Sequence, residues 1–381
     1  MGTGPFSDVL IIDLTHILAG PFCTMLLAEF GARVVKVERA HHGDETRRFG
    51  PLVNGKSAYF ASVNRGKEGV ALDFEDPADR ELLLEMIRRA DVFVENLRIG
   101  TTHHLGLEYE ELRAINPRII YAALSGYGYT GPWREKPAVD PIIQAGGGLM
   151  SITGHPGGPP TKVGSSVMDY FSGLFLLVGI EAALYHRART GEGMKIDVGM
   201  FDCEIATLET ALLKHLATGE IPQPLGNRHP AAAPIDTFAT GDRPLFVAAG
   251  TDAHFAQLCM ALGRPELAAD PRFATNVSRT QNYDELKPRI EAILKAAPAT
   301  EWVRKLEAIG VLCSLIQTVA DAVANPQTSA RNMIVEAGGI RMAGNPVKLS
   351  ILADPPTRKP APELDADGAT IRAEFAPGRK A

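Results

Sequence analysis

The stretch VLIIDLTHILAGPFCTMLLAEFGARVVKVE, residues 9–38, decides the fold. Val9 to Asp13 is a short apolar run of strand character. Pro21 opens a helical pattern that closes at Gly31; proline is tolerated in a helix's first turn and glycine suits the residue after its end. Arg33 to Glu38 alternates and predicts a second strand. Strand, helix and strand at this spacing make a βαβ unit, whose crossover joins parallel strands. Further strands are predicted at Gly69–Asp73, Val92–Glu95, Ile119–Leu124 and Lys195–Val198, with helices at Pro77–Arg89 and Tyr109–Ile115. The class is therefore α/β, with a Rossmann-like parallel sheet. Glu38 stands about where a dinucleotide fold places its ribose-binding acid. The first turn, Leu14 to Gly20, lacks the G-x-G-x-x-G pattern, so NAD is rejected.

A large domain of residues 1–215, completed by 325–381, is expected to carry this sheet, and residues 220–324 to form a small α+β domain. Met200 to Leu216 reads as one helical pattern, and Gly219 to Pro234 as a connector. In the small domain Leu245–Ala248 is a predicted strand, and His254–Leu262, Tyr283–Ala296 and Thr300–Gly310 are predicted helices. Asp354 to Ala381 is read as a surface wrap or a frayed end. The net charge of −6 and scattered basic residues argue against a nucleic-acid partner. The most apolar run, around Leu174, is broken by Gly179 and Glu181, so no membrane partner is expected. Met1 to Asp8 shows no basic-then-apolar leader. Cys23, Cys203, Cys259 and Cys313 are far apart and read as free thiols of a cytoplasmic protein. No cysteine or histidine spacing suits a metal.

The second informative stretch is VGSSVMDYFSGLFLLVGIEAA, residues 163–183, with Asp169 at the head of a run apolar on nearly every face. Such a run predicts a buried helix. An acid at its mouth is costly unless it is paired, capped or used. Two readings stand: a helix N-cap, and a carboxylate held at the edge of an apolar site as nucleophile or base. Spacing alone favours the cap. Upstream, Ile119–Leu124 ends in a Gly- and Tyr-rich loop, Ser125 to Pro132. Loops at strand carboxyl ends line the ligand crevice of open α/β sheets.

Seven stretches, taken together and in order, resemble the class III coenzyme A-transferases, typified by formyl-CoA:oxalate CoA-transferase. They are DLTHILAGPFCTMLLAEFGARVVKVE (13–38), GDETR (43–47), NRGKEGVALD (64–73), ADVFVENLRIG (90–100), GYGYTGP (126–132), VMDYFSG (167–173) and GNRHP (226–230). The resemblance implies an interlocked homodimer that moves CoA from an acyl-CoA donor to a carboxylic acid acceptor. CoA and acyl-CoA would be substrates, with no permanently bound cofactor. It implies that Asp169 is the nucleophile, forming a mixed anhydride and then an aspartyl-CoA thioester, and this puts the nucleophile reading ahead of the cap. It places CoA contacts on His16, Ile17, Leu18, Arg39, Leu72, Asn96, Leu97, Leu105 and Met200. Arg39 would meet a phosphate, and Asn96 the pantetheine or adenine. Val139, Asp140, Gly250 and Asp252 fall at substrate positions.

The chain also departs from the family pattern. His104 stands where the family often has arginine, with Lys67 or Arg98 as substitutes. Val247 to Asp252 holds one glycine where the formyl-CoA enzyme carries four. Val139–Asp140 replaces a Tyr–Glu pair of that enzyme and a His–Asp pair of the related α-methylacyl-CoA racemases. Valine cannot move a proton, which weighs against a racemase; an intact Asp169 weighs against a CoA-binding protein without chemistry.

Overall fold

A computed structural model describes residues 4–376. Residues 1–3 and 377–381, at the ends of the leader and tail readings above, lie outside the described residues. Contacts divide the chain into two compact units: Met1–Gly148 with Val163–Leu208 and Asn325–Ala381, and Leu149–Lys162 with Glu209–Ala324. The helical pattern expected to run from Met200 to Leu216 is interrupted because Glu209 takes a left-handed φ of 49°. The chain leaves the first unit after Leu208, not at residue 215, and the stretch 149–162 belongs to the second unit.

The first unit is built on six parallel strands: β1 (Leu10–Asp13), β2 (Arg33–Arg39), β3 (Glu68–Leu72), β4 (Val92–Glu95), β5 (Ile120–Ser125) and β6 (Lys195–Gly199). Their order is β3-β2-β1-β4-β5-β6. The direction of winding reverses between β1 and β4, where such sheets open a crevice beyond their carboxyl ends. Inner parallel strands are covered on both faces. The alternation of RVVKVE therefore marks no solvent face: Val34 to Glu38 are all buried, Lys36 completely.

Seven helices matter for the site: α1 (Ala19–Glu29), α2 (Ala58–Asn64), α3 (Pro77–Arg89), α4 (Tyr109–Ile115), α5 (Asp140–Gly146), α6 (Val167–Thr190) and α7 (Met200–Thr207). Pro77 and the capping Asp76 side chain start α3, which buries Leu83, Met86 and Ile87 against Val35, Val70 and Phe93. The carboxyl-terminal stretch closes the β3 edge. Gly69 N–H and Ala71 N–H donate to Asp367 and Asp365, each at 2.8 Å, and Arg372 donates to Ala71 O at 2.7 Å. An open edge would otherwise invite another strand.

The expectation of a fully buried α6 is corrected. Its inner face, including Met168, Gly173, Leu176, Leu177 and Ile180, is buried, while Phe171, Leu174, Phe175 and Val178 are exposed. Gly179 and Glu181 do not interrupt it, and by length and composition alone it could cross a membrane. Its inner face packs on α1 and β5, and Arg187 pairs with Asp91 at 2.8 Å, which makes it an element of this core.

The second unit carries an antiparallel sheet of β7 (Ile235–Phe238), β8 (Leu245–Ala248) and β9 (Leu312–Leu315), with β8 central. Phe238, Val247, Phe255, Leu258 and Trp302 are in its core.

Candidate active site

At the switch point the chain leaves β1 through Thr15, His16 and Ile17, and leaves β4 through Asn96. The Asn96 side chain meets the His16 backbone as a second peptide would. His16 N–H donates to Asn96 Oδ1 at 2.8 Å, and Asn96 Nδ2 donates to His16 O at 2.9 Å. Asn96 was expected to offer its amide to CoA, but both ends of that amide already hold His16. It shapes the site from within.

A cavity of about 270 Å3 lies here, lined by His16, Ile17, Leu18, Ala19, Asn96, Gly126, Val139, Asp140, Ser166, Asp169 and Met200 among others. Asp169 sits on the third residue of α6. Gly173, four residues on and so on the same helix face, explains its placement. A Cβ at Gly173 would lie 2.6 Å from Ala19 O, so α6 crosses the start of α1 at a distance only glycine permits. That start has no side-chain cap, and its N-cap Leu18 and first residue Ala19 line the same cavity as Asp169.

The N-cap reading of Asp169 is corrected. Ser166 occupies the N-cap position, and Met168 N–H donates to the buried Asp140 Oδ1 at 2.7 Å. Asp140 Oδ2 accepts from Gln144 at 2.7 Å, and Gln144 Oε1 accepts from Val163 N–H at 2.9 Å. Among the described residues, Asp169 itself accepts no hydrogen bond. Burial, with the like charge of Asp140 as a second cause, pushes its pKa up to about 7. The carboxylate is thus poised between its two forms at neutrality, not fully ionised as an ordinary aspartate is. Sequence reasoning missed Tyr59 on α2. Burial and the neighbouring Asp169 charge push its phenol up to about 12, so it stays a proton donor near that carboxylate. Burial likewise holds the His16 imidazole below its usual range, which keeps it neutral.

A second cavity, about 380 Å3, shares His16 and is lined by Arg39, His42, Asp44, Arg48, Leu97, Thr101 and Leu105 among others. Arg39 and Arg48 are exposed, and among the described residues neither guanidinium has a carboxylate partner. Arg47 differs: it grips Glu38 at 2.6 and 2.8 Å, which removes Glu38 from any ribose role. Arg48 lies one residue past the GDETR stretch, and its freedom shows only once Arg47 is seen to be occupied.

Three expectations fail here. Leu72 is completely buried in the core beside Val70 and Leu82 and lines neither cavity; its carbonyl is taken by Ala40 N–H. Lys67 cannot replace a phosphate contact at His104, because it is fully buried. Its ammonium donates to Asp13 at 2.9 Å, Asn64 at 2.8 Å and Pro21 O at 3.2 Å. His104 and Arg98 are exposed but line neither cavity. The Gly- and Tyr-rich loop contributes Ser125 and Gly126, while Tyr129 is tied down by Glu95 at 2.5 Å and by Asp197. Gly250 and Asp252 lie in the second unit, Gly250 between β8 and the helix Asp252–Ala261 and Asp252 as that helix's first residue. There the completely buried Arg279, which the sequence did not single out, donates to Gly250 O at 3.0 Å and to Asp252 at 2.7 Å.

The arrangement is a semi-buried carboxylate, unpartnered among the described residues, that shares a cavity with an uncapped helix start, and His16 joins that cavity to an arginine-flanked one. Known proteins resemble the chain over nearly its whole length. A family profile described as CoA-transferase family III matches residues 6–368. Acetyl-CoA:oxalate CoA-transferase of Acetobacter aceti is 50% identical over 374 residues, covering 98% of this chain and 96% of that protein. Succinyl-CoA:mesaconate CoA-transferase of Haloarcula hispanica is 39% identical over 390 residues, covering 98% and 97%. A crystal structure of a CAIB/BAIF family protein from Brucella suis superposes with a TM-score of 0.86 at 39% identity, covering 98% of this chain and 100% of that one.

Proposed function

The chain belongs to CoA-transferase family III, and from that premise we propose that it moves CoA from an acyl-CoA to a carboxylic acid through Asp169. The observation that carries the reading is the unpartnered Asp169 carboxylate beside the uncapped start of α1. A carboxylate oxygen attacks the thioester carbonyl carbon; the C–S bond breaks, giving an aspartyl mixed anhydride and CoA thiolate. The thiolate attacks the aspartyl carbonyl, releasing the donor acid and leaving an aspartyl-CoA thioester. The acceptor carboxylate displaces CoA from that thioester, and the thiolate then takes the acceptor's acyl carbon, regenerating Asp169. The negative oxygen of each tetrahedral state would be met by N–H groups of the α1 start, which the helix dipole favours. Arg39 and Arg48 would hold the phosphates of CoA in the second cavity, with the thioester reaching past His16 to Asp169. Val139, which lines the Asp169 cavity, supports transfer over racemisation because it offers no second proton-transfer group.

Oxalate is the first acceptor to test and acetyl-CoA the first donor, on the strength of the Acetobacter aceti relative. Formation of oxalyl-CoA, followed by chromatography from pH 5 to 9, is the direct assay. Asp169 must be ionised to attack, so kcat/KM should fall as the pH drops through about 7. A rate unchanged down to pH 5 contradicts the shifted carboxylate. No transfer to any small mono- or dicarboxylate from any donor contradicts the reading.

The homodimer and the cytoplasmic setting belong to the same proposal. The four free cysteines suit a reducing compartment. The exposed stripe of Phe171, Leu174, Phe175 and Val178 on α6 suits burial by a second copy. Phe175→Glu with Val178→Glu should shift the solution mass from dimer to monomer or to soluble aggregate, and a wild-type monomer at micromolar concentration rules the dimer out.

A further inference from the structure

Ile17 has a φ of 69°, a left-handed backbone in a β-branched residue. Such a conformation is an outlier and persists only where the surroundings over-determine it. Here they do. Ile17 N–H points at both oxygens of Asp44, at 3.4 and 3.3 Å. Asp44 is buried and accepts from Thr46 N–H at 3.0 Å, from Thr46 Oγ1 at 2.7 Å and from Lys36 Nζ at 3.0 Å. The same Lys36, fully buried, donates to Thr15 O at 2.8 Å. Asn96 holds His16 between them, and Asp13 accepts from Thr15 N–H at 2.9 Å. The backbone of three consecutive residues is thus pinned by side chains from other segments. Those residues lead directly into the uncapped start of α1, and His16, Ile17, Leu18 and Ala19 all line the Asp169 cavity.

We propose that Asp44, paired with Lys36, is a positioning residue for the reaction: it holds Ile17 left-handed and so aims the start of α1 at Asp169. The inference rests on the transfer reading above, which makes the α1 start part of the reacting site. The pairing serves placement over stability, since a buried ion pair is weak support for a fold compared with an apolar substitute. Burial would raise the Asp44 pKa, but Lys36 and Thr46 outweigh it and hold the carboxyl below its ordinary range, so the clamp stays charged at neutral pH.

The test compares wild type, Asp44→Asn, the charge-neutral double variant Lys36→Met/Asp44→Asn, and Asp44→Asn/Ile17→Gly. Hydrogen exchange of the peptide spanning residues 14–20 reports the turn without reference to activity. CoA affinity, kcat and adduct formation on Asp169 report the chemistry. In Asp44→Asn, exchange of that peptide should rise about tenfold and kcat fall about a hundredfold, as a misplacement near 1 Å costs. Asp44 also lines the cavity proposed for the CoA phosphates, where losing a negative charge does not weaken the binding of an anion, so CoA affinity should equal or exceed that of wild type while kcat falls. Glycine adopts the left-handed conformation without a clamp, so Ile17→Gly should recover at least about fivefold of the lost kcat. If Asp44→Asn fails to fold, the double variant, which buries no unpaired charge, carries the same readouts. Unchanged exchange, or a kcat within about twofold of wild type, overturns the proposal. A wild type that forms no adduct on Asp169 removes the transfer reading instead, and with it the catalytic purpose of the clamp, while the exchange result still decides whether Asp44 holds the turn.

Discussion

Replacing Asp169 by Asn should abolish transfer, lowering kcat by about a thousandfold or more, and should leave CoA binding and the fold in place. The amide keeps the shape of the side chain but cannot attack a thioester. No neighbour substitutes: Ser166 lines the same cavity as His16, but among the described residues the two share no hydrogen bond that would activate the hydroxyl, and Asp140 is engaged by Met168 and Gln144. The stability of the variant separates this account from a structural role. In the folded protein the Asp169 pKa is raised from 3.8 to about 7. Between those values the native state holds a proton that the unfolded chain has released, so stability falls as the pH rises through the window. An amide suffers no such loss. The Tm of Asp169→Asn should therefore equal or exceed that of wild type at pH 8, with the difference shrinking toward pH 4. A clear drop in Tm at pH 8 makes Asp169 a structural residue. An active variant, once mass has excluded deamidation, removes its role as nucleophile.

The second large effect lies at the other cavity. Arg39→Ala should weaken CoA binding about tenfold, and Arg39→Ala with Arg48→Ala about a hundredfold, the loss expected for one and two charge-assisted phosphate contacts. The affinity of the double variant should also depend less steeply on salt. Both guanidiniums are exposed and uncommitted among the described residues, so the fold should not notice their loss. Arg47, locked on Glu38, provides the contrast: Arg47→Ala leaves a buried carboxylate unpaired and should lower Tm. Titration calorimetry with CoA checks the series, and an unchanged dissociation constant in the double variant places the nucleotide elsewhere.

Much of this was legible in the chain. Residues 9–38 carry a complete βαβ unit in their polarity and their Pro and Gly punctuation, and the remaining strands of the sheet follow at regular spacing. A residue just past the carboxyl end of a strand, such as His16 or Asn96, is a site candidate from topology alone. Asp169 was visible as an acid in an apolar run, and Gly173 beside it marks the helix crossing that places it.

What escaped depends on partners distant in sequence. The cap of α6 comes from Asp140, 28 residues upstream, so the spacing around Asp169 could not exclude its being the cap. Lys36 looked like the polar phase of an alternating strand, whereas both faces of an inner parallel strand are buried and the lysine must find carboxylates inside. Asn96 reads as a strand-end polar residue that could face a ligand or a loop, and only the His16 backbone 80 residues away decides which. The family resemblance placed Leu72 at a binding position, but it ends an edge strand with its side chain turned into the core. The break at Glu209 rests on one backbone angle that no residue preference announces.

Incubation with acetyl-CoA alone, acid quenching, proteolysis and mass spectrometry of the peptide containing Asp169 test whether that carboxylate carries the transfer. A CoA thioester should form on Asp169, disappear when the acceptor acid is added and never form in Asp169→Asn. Turnover of acyl-CoA to a new thioester with Asp169 unmodified, or with the adduct on any other residue, contradicts it.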